Sequence, residues 1–502
     1  MTNTFYSKVV SFLGSKKFFY VIIAFFVLET VWIALSGRYP MAFDEDYHLG
    51  IIQLYTHQFS PFFAREPAGA NVYGAVTRDP SYLYHWLMSY PYRWIHYFTS
   101  DFTIMVILLR FISVAFFAAG LVVYRRVLSC SKLSPSLINC VFLFMVLTPN
   151  VPLVAAQINY DSLLILLTAT NLLFSLKFLT AFKKDGTLKL GTLAFVVSLS
   201  LLTCLEMYAF LPICAVILIY FFILLYKDRR SNVKQFNKKI AQAYHKLSFR
   251  TRISLGLFLA ISLGLFIAMY GYNTVKYDWP LPECNQVIGA QACKAYSVWE
   301  RDNNYYLTKS NHYNQSPLYF SGKWLGSYYY SLFFAINGKD SGFALGPALP
   351  IPYYSGIIVA SIGGILIICY RRRIFKDNPV YLFLGIVVAA YVLALWSLNY
   401  KDYVHLGTAI ALQGRYLVVV MPLIYLVTAT AFKFLLDKRH MLKPWIVILF
   451  VLLFSQGGGA ITFIMRSDPS WYWENNTFID KSNQRVQNIV KHVVYKGKKH
   501  ST

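Results

Sequence analysis

Three carboxylates in a row, Asp44, Glu45 and Asp46, sit in the run Phe43-Asp44-Glu45-Asp46-Tyr47-His48-Leu49, just past the first apolar stretch. Acids so close to hydrocarbon are costly unless they face a polar cavity, so three together point to chemistry. On a helix, Asp44 and His48 are i,i+4 neighbours on one face, while Glu45 points elsewhere. A carboxylate at the mouth of a helix bundle can take the proton of a hydroxyl as a general base. Asp44, Asp46 and His48 could instead ligate a divalent cation, although nothing else in the sequence completes a hard-cation shell. A helix N-terminus complemented by carboxylates would account for any one acid, but not for three and a histidine.

A second constellation is Gln413-Gly414-Arg415-Tyr416. A guanidinium held at an interface suits a phosphate, which it grips with two parallel hydrogen bonds. The plainer alternative is an interfacial arginine that snorkels. Asn159 and Asp161, in Asn159-Tyr160-Asp161, are either substrate contacts or a simple N-cap. Arg78 and Asp79 could line the same cavity, with Asp79 equally explicable as the cap of a helix that Pro80 opens. Glu206 is a lone intramembrane acid and a weaker candidate. His57, His85, His96 and His405 read as interfacial or packing residues.

The elements that position these residues follow from composition. The chain has 502 residues, 57% hydrophobic and 14% charged, too apolar for a soluble protein of this length. Apolar runs each long enough to cross a bilayer predict an all-α polytopic membrane protein with about eleven spans. They lie at 18–36, 103–124, 135–156, 161–181, 188–204, 207–226, 253–275, 351–370, 379–398, 416–432 and 444–464. Segment 188–226 has no polar break beyond Glu206; as one helix it would run about 39 residues at 1.5 Å each, twice a bilayer, so a hairpin is expected. The net charge of +25 is gathered in short segments between spans, 227–252 the longest. By the positive-inside rule these basic segments and the N-terminus are cytoplasmic, and the charge reports topology in the plasma membrane, not a nucleic-acid partner.

The opposite face receives 37–102, 276–350, 399–415 and a tail, 465–502, set apart from the transmembrane module 1–464. In the first outer loop, 43–58 and the aromatic-rich stretch after Pro80 predict two helices lying on the membrane. Cys284 and Cys293 share the second outer loop and are expected to pair on an oxidising face. Val486, Ile489, Val490, Val493 and Val494 share one face of a basic amphipathic helix in the tail.

The chain resembles the GT-C superfamily of integral-membrane glycosyltransferases, which includes protein O-mannosyltransferases and aminoarabinose transferases. Asp44-Glu45-Asp46-Tyr47-His48-Leu49-Gly50 is similar to that group's Asp-Glu-x-x-His pattern after the first span. Arg78-Asp79-Pro80-Ser81-Tyr82-Leu83-Tyr84 looks like its His-Pro-Pro-Leu-Tyr-Tyr type of motif, and Gln413-Gly414-Arg415-Tyr416 with Pro422 resembles the Gln-Gly-Arg-Tyr hallmark of a bacterial branch. Departures are the lack of a proline next to Asp44, a single proline in the second motif, and no lysine near Thr203-Cys204. The resemblance implies an inverting transferase of the outer membrane face. Its donor would be a polyprenyl-phosphate sugar, and its acceptor an envelope glycan, lipid or protein hydroxyl. Asp44 would be the base, Glu45 a substitute base or orienting partner, Arg415 the phosphate partner, and His48 a phosphate or supporting contact. Gln413, Tyr416, Asp46, Arg78, Asp79, Asn159 and Asp161 would line the substrate site.

Two rivals remain at this level. A transporter or flippase of a lipid-linked sugar predicts polar groups near the midplane and internal symmetry, whereas these polar groups gather at one interface. A surface-polysaccharide polymerase or ligase predicts an outer loop rich in arginine and histidine, but 276–350 holds only Arg301 and His312.

Overall fold

The computed structural model describes residues 2–496 apart from 42, 310–312, 340–341, 349, 377, 438–441, 456–470 and 475–476. A short helix α1 (Thr2–Gly14) precedes α2 (Lys16–Ser36), whose N-cap Ser15 accepts from the Phe18 N–H. Seven helical stretches among the described residues are long and apolar enough to cross a bilayer: Lys16–Ser36, Phe102–Ser129, Asp161–Asp185, Tyr208–Ser231, Phe249–Tyr277, Tyr353–Phe375 and Pro379–Leu406. The chain is therefore a polytopic helical membrane protein.

Three further apolar helices are shorter: two modify expected spans, and the third is one arm of the expected hairpin in 188–226. The stretch 135–156 is not one helix: α6 (Pro135–Val146) stops before Thr148-Pro149, and α7 (Asn150–Ala155) restarts after it. Proline lacks the N–H that would continue the ladder and disfavours helix at the residue before it. Segment 188–226 is two helices, α9 (Leu190–Glu206) and α10 (Leu211–Ser231), with Met207 extended between them. The tenth expected span begins later, as α20 (Met421–Leu436). In the last, α21 covers Leu442–Ser455, and 456–464 lie outside the described residues.

Both helices expected in the first outer loop form. They are α3 (Glu45–Tyr55) and α4 (Leu83–Phe98), packed on each other, with α4 also packed on α5 (Phe102–Ser129). Asp79 does not cap α4, which opens at Leu83. Its Oδ1 accepts instead from the Ser81 N–H at 2.9 Å, a turn closed just before the helix.

The core sits between α5 and α8 (Asp161–Asp185), and Gly120 lets them meet. A Cβ there would stand 2.3 Å from Ile165 Cγ2. After α11 (Val233–His245) and the long helix α12 (Phe249–Phe266) to α13 (Tyr272–Tyr277), the second outer loop carries α14 (Cys284–Ile288), α15 (Ala290–Cys293), α16 (Ser297–Leu307) and α17 (Pro317–Leu332). One short hairpin stands among the helices. Strands β1 (Phe334–Lys339) and β2 (Gly342–Ala348) pair antiparallel with Ile336 opposite Leu345, ahead of α18 (Pro350–Phe375) and α19 (Pro379–Leu406).

Cys284 and Cys293 form the expected disulfide, with Cα atoms 6.0 Å apart. Maleimide labelling of the denatured, unreduced protein is accordingly expected to leave both unmodified and to reach them after reduction. Labelling of either before reduction would refute the bond. The expected tail helix is present as α22 (Thr477–Lys496). The segment before it is stitched to the exit of α2: the Arg38 N–H donates to the Trp471 carbonyl at 2.7 Å, Gly37 pairs with Tyr472, and Arg38 meets Glu474 at 2.7 Å.

Candidate functional site

Two consecutive non-glycine residues, Phe43 and Asp44, adopt the left-handed conformation (φ 67° and 68°) where α3 begins. Each such residue costs about 1–2 kcal/mol, so the turn needs partners. Arg415 supplies most of them. Its Nη1 donates to the Phe43 carbonyl at 2.9 Å and its Nη2 to Asp44 Oδ2 at 2.7 Å. Asn159 Nδ2 donates to the same Phe43 carbonyl at 3.2 Å. The Asp44 side chain keeps 59% of its surface exposed, whereas that of Arg415 keeps 3%. An anchored cation thus holds a reachable carboxylate.

Glu45 turns the other way and is fully buried. Its Oε1 accepts from Arg110 Nε (2.8 Å) and the Ile158 N–H (3.1 Å); its Oε2 accepts from Arg110 Nη2 and the Met41 N–H (both 2.7 Å). Arg110, also fully buried on α5, donates from Nη1 to the carbonyls of Ala34 and Gly37, and its guanidinium lies 5.5 Å from the Trp473 ring. Saturated in this way, Glu45 ties the exit of α2, the start of α3, α5 and the Ile158 turn together. That geometry suits a positioning residue and leaves no free oxygen for the substitute-base role.

His48 pairs with a second histidine and not with Asp44. Its buried ring places Nδ1 2.9 Å from Nε2 of buried His85 on α4. Burial pushes the His48 pKa well below its usual value and that of His85 down to about 3. One facing nitrogen must donate and the other accept, so the bond fails if both rings are protonated. Unfolded histidine binds its proton near pH 6.5, so this pair's contribution is present above that pH and is lost as pH falls below it. Between pH 7 and 5, His85 is expected to cost the fold about 2 kcal/mol. Thermal unfolding at both pH values checks this, and a His85→Gln variant should lose the share that belongs to His85 while buried His48 keeps its own.

The remaining candidates divide. Asp161 is buried at the start of α8; its N–H donates to Asn159 Oδ1 at 2.9 Å, and its Oδ2 has no partner. Glu206, at the end of α9, is buried with neither oxygen bonded and within electrostatic reach of Asp161. Asp79 Oδ2 accepts from Tyr47 at 3.3 Å, and burial raises its carboxyl above the ordinary value. Arg78 is drawn elsewhere, its guanidinium 4.0 Å from the Tyr272 ring. Asp46 is exposed beside Asp44. Gly414 explains itself by close approach, since a Cβ would lie 2.6 Å from the Tyr328 carbonyl. Its N–H bonds Ser331 Oγ, the Gln413 Oε1 is buried without a partner, and the Tyr416 carbonyl accepts from Tyr391 at 2.7 Å.

Asp44, Asp46 and His48 do not form a ligand set, because Arg415 takes the first and His85 the last. No group of three or more His, Cys, Asp or Glu side chains suited to a metal converges among the described residues. Beside Gly414 begins an apolar cavity of about 580 Å³. It runs from Tyr328, Leu332 and Met421 to Leu13, Ser134 and Lys433, between α6, α17, α18 and α20.

Sequence reasoning missed Arg110 and assigned His85 to packing. A lone arginine inside an apolar span was a readable signal for the first; His85 carried none, because its partner stands 37 residues away. The chain matches no known protein family, no curated protein and no solved structure.

Proposed function

We propose that the chain is a GT-C-type glycosyltransferase using a polyprenyl-phosphate sugar, with its N-terminus cytoplasmic and Asp44 on the outer face of an eleven-span plasma-membrane fold. The observation that carries this reading is the exposed Asp44 carboxylate on a buried Arg415, beside the mouth of a long apolar cavity. The polyprenyl chain occupies the cavity and brings its phosphate to Arg415. That phosphate replaces Asp44 on Nη2 and also meets Nε, which has no partner in the free protein.

Released from the cation, Asp44 takes the proton of the acceptor hydroxyl. The hydroxyl oxygen bonds to the anomeric carbon as the bond from that carbon to the phosphate oxygen breaks. The phosphate leaves with the electron pair, and Arg415 neutralises the charge where it grows. Attack from the side opposite the phosphate inverts the anomeric centre. Asp161, Glu206 and Gln413 offer acceptors to the hydroxyls of the sugar, since all three hold buried oxygens that nothing else bonds.

The test is a strain lacking this chain, with its envelope sugars and polyprenyl-phosphate sugars measured by mass spectrometry. Loss of one envelope sugar with accumulation of the matching lipid-linked donor is the expected result. Unchanged envelope sugars and lipid-linked pools would reject the transferase reading.

A further inference from the structure

The helix α11 has no buried residue, although it lies between two helices apolar enough to cross a membrane. Val233, Ile240 and Tyr244 are 51%, 37% and 47% exposed. At about 100° per residue their spacing puts them within roughly 40° of one another, a narrow apolar stripe. By the same count Lys234, Lys238 and His245 lie roughly 100–140° away, on one flank of the stripe. Ala243 packs against the core, and Lys239 turns toward the bundle, where its Nζ lies 2.9 Å from Asp228. Segment 227–252 as a whole holds nine Lys or Arg residues against one acid.

Two features fix the height of this helix. Asn232 alone separates it from the end of α10, and its side chain caps α11 by accepting from the Gln235 N–H at 2.9 Å. On the return side, Arg252 of α12 lies 4.2 Å from the Tyr244 ring. α10 leads away from Tyr208, whose N–H meets Ser81 near the candidate site, through 21 residues of apolar helix. A helix long and apolar enough to cross a membrane thus separates α11 from the end of the chain segment that meets Ser81.

We propose that α11 is a binding surface for anionic phospholipid in the leaflet remote from Asp44. Val233, Ile240 and Tyr244 enter the acyl boundary, and Lys234, Lys238 and the flanking arginines take the lipid phosphates. Left in water the apolar stripe would carry an unrecovered cost of about 25 cal/mol per Å². The surplus cations find their complement in a negatively charged leaflet, which attracts basic segments within a Debye length.

The experiment uses the full chain, with Cys130 and Cys369 changed to Ser and a nitroxide attached through Ile240→Cys or Gln242→Cys. The protein is reconstituted in phosphatidylcholine vesicles with or without a quarter of phosphatidylglycerol, and collisions with oxygen and with a water-soluble nickel chelate are measured. With phosphatidylglycerol, the Ile240→Cys label should meet the chelate about fivefold less often than the Gln242→Cys label while remaining open to oxygen. That difference should shrink in pure phosphatidylcholine and on adding Lys234→Gln with Lys238→Gln. Equal chelate access at the two positions would overturn membrane contact. Shielding of the Ile240→Cys label from both probes would mean a protein partner and overturn it too. An unchanged difference in neutral lipid would overturn the preference for anionic lipid.

Discussion

Replacing Asp44 with Asn is expected to lower the rate of sugar transfer by about 10²–10⁴-fold, the usual worth of a general base, while leaving the fold intact. The substitution is chosen for its mildness. Asn has the shape of Asp, its side-chain oxygen can still accept from Arg415 Nη2, and it tolerates the left-handed backbone that position 44 requires. What it lacks is the basicity to take a proton. Purified wild type and Asp44→Asn should show similar unfolding temperatures but very different transfer of a labelled sugar from its polyprenyl phosphate. Donor affinity should hold or rise, because Arg415 gives up a neutral amide more readily than a carboxylate. Transfer within about threefold of wild type would remove Asp44 as the base.

Arg110→Leu is expected to do the reverse of Asp44→Asn, damaging the fold before the chemistry. Removing one member of a buried ion pair typically costs about 3–5 kcal/mol, because the other charge is left buried and alone. Here the Ala34 and Gly37 carbonyls lose their donor as well. Replacing both members with apolar residues often repairs such a loss. It should not do so here, since Glu45→Leu would also strand the N–H groups of Met41 and Ile158. Glu45→Gln should destabilise too, because its amide would bring donors to face donors. Unfolding of the detergent-solubilised variants, followed by tryptophan fluorescence, checks all three. A Glu45→Gln protein with normal stability and a changed pH–rate profile would restore Glu45 to the chemistry.

Asp44 and Arg415 were legible in the sequence because each stands in a short motif at a span end, where charge is costly and its use is constrained. Their direct pairing was not, since 371 residues separate them and no local period reports such a contact. Adjacent acids illustrate the limit well. Asp44 and Glu45 are chemically near-identical and next to each other, yet one is open and the other sealed. The difference lies in the left-handed turn and in Arg110, on another helix. Hydropathy likewise found the apolar stretch 135–156 but could not register the halt at Thr148-Pro149, because a window average is insensitive to one missing N–H. The helix expected to open at Pro80 starts later for a similar reason. Asp79 bonded the Ser81 N–H and closed a turn, and the helix waited until Leu83.

Contacts around the acidic turn are drawn from widely spaced parts of the chain: Arg110, Asn159 and Arg415, with Trp473 over the guanidinium of Arg110. In order of synthesis the turn comes first and each partner arrives later. Until Arg415 has been threaded into the membrane, only the Asn159 bond to the Phe43 carbonyl supports the left-handed backbone at Phe43 and Asp44, and the carboxylate lacks its Arg415 partner. The nascent protein therefore crosses the membrane many times before the Asp44–Arg415 pair can form. Quality control that samples early helices would see a sound chain that still lacks it, and a defect near Arg415 would surface at the other end of the sequence, in the turn at Phe43 and Asp44.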